Sequence, residues 1–134
     1  MSVRQDMFTV LHGQPAPVVT RWTYSATDPY AVGLAIRVTP DHWVEWLVAR
    51  DLVAASLTGP AGEGDVRMGP RTVQGHDVVE IRLSSHDGSA VLEVDHALLR
   101  RFVTASFEVV APGEESARMN IDEAIGRITR SCAE

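Results

Sequence analysis

Apolar and polar residues alternate along most of the chain up to Asp95, the pattern of strands that bury one face. In "DVVEIRLSS", for example, Val79, Ile81 and Leu83 alternate with charged residues. Seven segments of this kind occur, at residues 7–13, 18–25, 30–38, 43–49, 65–69, 77–85 and 89–95. Turn residues separate them, and Asp87-Gly88 supplies the tight turn of a hairpin. We therefore predict an antiparallel sheet of about seven strands.

A short helix is predicted directly after the fourth strand. In "ARDLVAASL", residues 49–57, the alternation stops and Val53 and Leu57 stand four positions apart. Gly59-Pro60 follows and cannot continue a helix.

Two more helices are predicted at the C-terminus. The first covers residues 96–107, with Asp95 as its N-cap. The second covers residues 120–132, where Asn120 and Glu123 have the spacing of a capping box. The expected fold class is therefore α+β: a strongly curved antiparallel sheet, a short helix after the fourth strand, and two C-terminal helices.

Length and composition indicate one domain over residues 1–134. A chain of 134 residues can bury a full core, and no repeat or long linker divides it. The N-terminus lacks the apolar core of a signal peptide, and no apolar run is long enough to span a membrane. The single cysteine, Cys132, suits a reducing compartment. We expect a cytoplasmic protein that meets membranes only indirectly, through partners.

The glycine-rich segment "GPAGEGDVRMGP", residues 59–70, raises the question of a phosphate-binding loop. Such a loop follows a strand and opens a helix, because the helix N-terminus supplies amides and a positive dipole end. Here the order is helix, loop, strand, and the chain has no lysine. We interpret the segment as a connection.

No residue pattern indicates catalysis, a metal site or a cofactor. No two of the five histidines are three or four positions apart, so no helix presents a paired metal site. "SSHDGS", residues 84–89, contains serine, histidine and aspartate, but triad residues converge from separate parts of a fold. Glu45 lies between two tryptophans, and a raised pKa there is less expected than a solvated or arginine-paired carboxylate. We predict that the protein is not an enzyme.

Single-stranded nucleic acid remains an alternative ligand. Five aromatic residues could stack bases if they shared an exposed face of the sheet. They are Trp22, Tyr24, Tyr30, Trp43 and Trp46. Binding to a phosphate backbone depends on cations, however, and the net charge of this chain is −6. Nucleic acid is therefore the less favoured partner.

Five motifs occur in an order and spacing that match one known family. They are "TDPYAV" (27–32), "VEWLVARDLV" (44–53), "GEGDVR" (62–67), "LSSHDGSAVLE" (83–93) and the weaker "VVAPGEE" (109–115). On these motifs the chain resembles the SsgA-like family of sporulation and cell-division regulators of filamentous actinomycetes, and among its members most resembles the SsgB type.

The resemblance implies a regulator that performs no chemistry. Members of this family act at septation during sporulation. The SsgB type helps to position the tubulin-like protein FtsZ at septum sites, and an SsgA-type partner places SsgB in turn. The resemblance also implies a fold similar to the "whirly" single-strand-binding proteins, assembled as a trimer. We therefore expect a homotrimeric scaffold at the division septum that holds a polymeric partner by repeated weak contacts.

Two acidic loops, residues 59–64 and 112–116, are the predicted contact surfaces for a partner. Both are expected to be exposed, and the alternative is that they are only solvated connections. The candidate contact residues are Gly59, Glu63, Pro112, Glu114 and Glu115.

Overall fold

The computed structural model describes residues 1–116 and contains the seven predicted strands and the first two predicted helices. The strands are β1 (Ser2–Leu11), β2 (Val18–Ser25), β3 (Asp28–Thr39), β4 (His42–Ala49), β5 (Val66–Val73), β6 (His76–Ser85) and β7 (Gly88–Asp95). The helices are α1 (Arg50–Ala55) and α2 (His96–Val109). The α+β class, the strand count and the short helix after the fourth strand are confirmed. The helix predicted over residues 120–132 lies outside the described residues.

All seven strands form one antiparallel sheet in the order β4-β3-β2-β1-β7-β6-β5. β1 joins its two halves, because residues 2–9 pair with β2 whereas Val10 and Leu11 pair with β7. The sheet bends strongly at this junction. Trp46 of β4 and Leu83 of β6 line the same cleft although four strands separate β4 from β6 in the sheet order.

The core fills the inner face of this bend. Inward side chains of both halves form one cluster with α2, and the indole ring of Trp22 lies 6.0 Å from the ring of Phe102. Both residues are fully buried, as are Ile81 and Leu92 from the other half of the sheet. Burying each such side chain stabilises the fold by about 1.5–3 kcal/mol. α2 therefore holds the two halves of the sheet together.

The predicted N-cap of α2 is confirmed. The Asp95 side chain accepts a hydrogen bond from the Leu98 backbone N–H at 2.9 Å. Its carboxylate also lies 2.6 Å from Nε2 of His76. Burial alone would raise the pKa of Asp95, but these hydrogen bonds outweigh it and hold that pKa below its ordinary value. The cap fixes where the chain leaves the sheet and enters the helix.

Candidate protein-contact surfaces

The first predicted contact loop turns the chain from α1 back towards β5. Gly59 is half-buried and Glu63 is exposed. Ala61 and Met68 exchange two backbone hydrogen bonds, of 2.7 and 2.9 Å, so the loop adds a short bridge to the edge of β5. Gly62 adopts φ +90°, a left-handed conformation that favours glycine. The loop thus presents the Glu63 carboxylate from a defined turn.

Replacing Gly62 by alanine is expected to lower the free energy of unfolding by about 2 kcal/mol, because a left-handed residue with a side chain is strained. The added Cβ would also clash with the backbone carbonyl oxygen of Val66. Urea denaturation measures the effect. Gly64→Ala is the matched control, since open space surrounds a Cβ at Gly64, and equal losses in the two variants would contradict this account.

The second predicted loop is only partly exposed, and the prediction that Glu115 is exposed is wrong. Pro112 and Glu114 are exposed, but the Glu115 residue is 6 % exposed and turns inwards. Its Oε1 lies 2.5 Å from Nη2 of Arg50, which is itself 1 % exposed. A buried guanidinium requires a buried counter-charge, and Glu115 provides it. The hydrogen bond from Arg50 is the main reason that the pKa of Glu115 lies below its ordinary value.

Arg50 connects the start of α1 to the end of α2. Its Nη1 donates to the carbonyl oxygens of Ser106 and Val110, at 3.1 and 2.6 Å. Its guanidinium carbon lies 4.7 Å from the centre of the Tyr24 ring and 5.1 Å from that of Phe107. The Ser106 carbonyl also accepts from the Val110 backbone N–H at 3.1 Å, whereas the Val110 carbonyl lies beyond the last turn of the helix. Arg50 therefore caps the C-terminus of α2 from another element. No sequence pattern indicates this role beyond the position of Arg50 in the motif "VEWLVARDLV".

The structure does not bring the two predicted loops together. Arg50, at the start of α1, contacts the end of α2, whereas Nε2 of His96, at the start of α2, lies 2.8 Å from the carbonyl oxygen of Leu57, just beyond α1. The two helices are therefore antiparallel, and the loops flank opposite ends of the pair. The 14 residues of α2 span roughly 21 Å at 1.5 Å per residue. One small partner surface cannot contact both loops of one copy.

The outer face of β1–β4, which is the face turned away from α2, exposes large apolar side chains. Phe8 is 75 % exposed and Leu47 is 74 % exposed. β3 lies between β2 and β4 and has small residues, Gly33 and Ala35, on this face. They leave a trough of about 420 Å³. Phe8 and Leu47 lie in strands β1 and β4 of this face, with the ion pair of Asp6 and Arg21 between them. Exposed apolar side chains on one face of a sheet offer area that a protein contact can cover. Sequence reasoning missed this surface, because an alternating strand does not reveal which side of a sheet is covered.

The charges on this outer face are largely paired with one another. Nε of Arg21 donates to Oδ1 of Asp6 at 3.0 Å, and this hydrogen bond is the main reason that the pKa of Asp6 lies below its ordinary value. The Arg21 guanidinium also lies 4.7 Å from the Trp43 ring, and that of Arg37 lies 6.0 Å from the same ring. Arg21 is therefore neutralised by Asp6, whereas the Arg37 guanidinium donates to the carbonyl oxygen of Pro40.

The five aromatic residues considered for base stacking do not share a face. Trp22 and Tyr24 are buried in the core, and Trp46 lines the inner cleft. Trp43 lies on the outer face beneath two guanidinium groups, and Tyr30 is half-exposed. A continuous stacking platform is therefore not formed by these residues.

A family model described as "Streptomyces sporulation and cell division protein, SsgA" matches residues 18–115 of the chain. The chain belongs to the SsgA family. A sporulation-specific cell division protein SsgB from Saccharopolyspora erythraea is 43 % identical over 112 residues, which are 84 % of this chain and 79 % of that protein. The SsgB of Streptomyces coelicolor is 38 % identical over 84 % of this chain and 82 % of its own. The resemblance drawn from the five motifs is confirmed.

Solved structures place the fold in the same family. An SsgA-like sporulation-specific cell division protein from Thermobifida fusca superposes with a TM-score of 0.86 at 35 % identity, covering 95 % of each chain. The Streptomyces coelicolor SsgB structure, from work correlating SsgB mutations with longitudinal cell division during sporulation, has a TM-score of 0.84 at 36 % identity. The superposition covers 88 % of this chain and 95 % of the Streptomyces coelicolor chain.

The SsgA family is one of sporulation and cell division proteins rather than a known enzyme family. Within residues 1–116 no three His, Cys, Asp or Glu side chains are placed to hold a metal ion. His86 lies 3.4 Å from Asp87, but both side chains face solvent at a hairpin tip. Glu45 is exposed on β4. No helix in this part of the chain has the length and apolar character needed to cross a membrane.

Proposed function

We propose that this chain is a non-catalytic regulator of sporulation-specific cell division, acting as an oligomeric scaffold that helps to place FtsZ at septum sites. Its family and its SsgB relatives support a role in cell division during sporulation. The structural observation that carries the scaffold role is the outer face of β1–β4, where Phe8 and Leu47 are three-quarters exposed. A surface of this kind gains free energy when another protein covers it.

We assign this outer face to the contact between subunits of a homotrimer with a whirly-like fold. Burying Phe8 and Leu47 yields about 1.5–3 kcal/mol for each side chain. In a ring of three, each subunit uses two different surfaces, so the outer face meets another part of its neighbour. A trimer repeats every weak partner contact, and a polymer that carries many copies of the partner is then held by avidity.

The predicted loops supply the partner contact, with one change of role. Glu63 and Glu114 present exposed carboxylates at opposite ends of the helix pair, beside Gly59 and Pro112. Glu115 supports the second loop from inside, through Arg50, and does not itself touch a partner. We propose that these loops meet FtsZ or an SsgA-type partner in the cytoplasm at the division septum, and that membrane contact occurs only through such partners.

Three measurements on the purified protein test this function. Light scattering is expected to give three times the monomer mass of 14.6 kDa, and the protein is expected to sediment with polymerised FtsZ. Crosslinks to FtsZ are expected at the loops that carry Glu63 and Glu114. A monomer at all concentrations that does not sediment with FtsZ would overturn the proposal.

Binding to single-stranded nucleic acid is not expected. The buried Trp22 and Tyr24 cannot stack bases, and the chain has a net charge of −6. In a gel-shift titration at low salt, a random single-stranded oligonucleotide should give no complex at micromolar protein. A complex whose affinity falls steeply with added salt would instead support the nucleic-acid function.

A further inference from the structure

An apolar cleft opens inside the bend of the sheet. It lies between the β3–β4 hairpin and the tip of the β6–β7 hairpin, and its volume is about 270 Å³. The lining residues are Leu11, Ile36, Val38, Val44, Trp46, Leu83, Ser85, Asp87, Gly88, Ser89 and Ala90. Sites for whole small molecules usually measure ~300–1,000 Å³, so this cleft suits a single large side chain better.

The cleft borders an unpaired strand edge. Within residues 1–116, β4 pairs with β3 on one side and no strand lies beyond it. The other edge strand, β5, is partly covered by the bridge between Ala61 and Met68. An uncovered edge presents backbone N–H and C=O groups to which another chain can pair. Val44 and Trp46 of β4 point into the cleft. Because side chains alternate between the two faces of a sheet, a strand added beside β4 would also direct every second side chain into the cleft.

The acidic residues beside the cleft indicate which kind of side chain its ligand carries. Asp87 is the one charged residue among the lining residues, and its side chain is 86 % exposed. A second carboxylate, Asp41, is exposed in the turn of the β3–β4 hairpin, whose Val38 and Val44 line the cleft. A carboxylate beside an apolar cleft favours a cationic side chain next to an apolar one.

We propose that β4 and this cleft bind an extended segment of a partner protein. The segment pairs with the free edge of β4, inserts one large apolar side chain between Trp46 and Leu83, and places an arginine or lysine beside Asp87. This mode is strand addition, in which backbone hydrogen bonds give affinity and the alternate side chains give specificity. The inference rests on the proposed function only in taking the partner to be a protein.

Selection of random ten-residue peptides displayed on phage, against the full chain, tests the proposal. Enriched peptides should combine a large apolar residue with Arg or Lys within two positions. A synthetic fluorescent peptide of the consensus then gives affinities by polarisation. Asp87→Lys should weaken its binding about tenfold, which corresponds to about 1.4 kcal/mol. N-methylation of alternate peptide amides should abolish binding in one register and spare it in the other, because only one set faces β4.

Two further variants make the result specific to the cleft. Val38→Arg introduces a cation at a residue that is already partly exposed, and should weaken binding more than tenfold without unfolding the chain. Asp77→Lys is the matched control, because Asp77 is an exposed carboxylate near the opposite end of β6 and does not line the cleft, and it should leave the affinity unchanged.

Three results would overturn the cleft proposal. The first is that no peptide motif is enriched, and the second is that Asp87→Lys and Asp77→Lys lose equal peptide affinity. The third is that Val38→Arg no longer forms the trimer, which would assign the cleft to a second copy of this chain. If the protein sediments with FtsZ and still gives one of these results, the cleft proposal is wrong and the proposed function is not affected. If the protein binds the peptide but does not sediment with FtsZ, the proposed function is wrong and the cleft proposal is not affected.

Discussion

Replacing Arg50 by methionine is expected to lower the free energy of unfolding by about 3–5 kcal/mol, because a broken buried pair leaves an uncompensated charge. The substitution would leave the Glu115 carboxylate without its cation and the Val110 carbonyl without the Arg50 donor, whereas the Ser106 carbonyl would keep the Val110 N–H. Urea denaturation followed by tryptophan fluorescence measures the loss. Hydrogen exchange should also show earlier opening at the end of α2.

The control for Arg50→Met is Arg100→Met on the exposed side of α2, which should change stability by about 0.5 kcal/mol or less. The double variant Arg50→Met/Glu115→Gln should recover part of the loss, because it removes the unpaired carboxylate together with the cation. Equal losses in the single and double variants would mean that Glu115 contributes nothing to the buried pair.

The same pair sets a pH dependence. The hydrogen bond from Arg50 depresses the pKa of Glu115 below its ordinary value of 4.5. A carboxyl whose pKa is depressed by folding contributes stability above its unfolded pKa, and that contribution is lost as the pH falls through its folded pKa. The stability difference between wild type and Glu115→Gln should therefore be full at neutral pH and shrink on acidification below about pH 4.5. A difference that does not change with pH would contradict the assigned ion pair.

Replacing Phe8 and Leu47 together by serine is expected to convert the trimer to monomer at micromolar concentration. Both side chains are exposed in the isolated chain, so their removal costs the fold little but deprives the proposed interface of its apolar area. Loss of the trimer removes avidity, and the apparent affinity for polymerised FtsZ should fall about 100-fold. Light scattering and sedimentation measure the two effects.

Tyr30→Ser is the matched control for this pair, because Tyr30 is a half-exposed aromatic residue outside the contact proposed for the outer face. It should leave both the mass and the sedimentation unchanged. The midpoint of urea unfolding, measured at a concentration where wild type is also monomeric, should be the same in all three proteins. A Phe8→Ser/Leu47→Ser variant that remains trimeric would assign the subunit contact to another surface.

Local pattern predicted the strands well but not all of their limits. β1 begins at Ser2 rather than at residue 7, because Ser2 pairs with Ser25 of β2. β5 continues to Val73 rather than ending at residue 69, because it pairs with β6 up to the turn. Pro70 interrupts the apolar pattern there, and a proline is tolerated since β5 is an edge strand. Pairing partners distant in sequence set these ends.

The sequence by itself determined the features that depend on near neighbours. Period-two alternation is a property of successive residues, and it indicated seven strands; the Asp95 cap and the short helix before Gly59 rest on spacings of a few positions. The order of five motifs was likewise enough to place the chain in its family.

Only the tertiary structure decided which side chains are covered. Glu115 is buried because Arg50 lies 65 residues earlier in the chain and beside it in space. Phe8 is exposed because α2 packs on the opposite face of the sheet, and nothing in the alternation of β1 says which face that is. Burial is a relation between distant segments, so a pattern read along one segment cannot contain it.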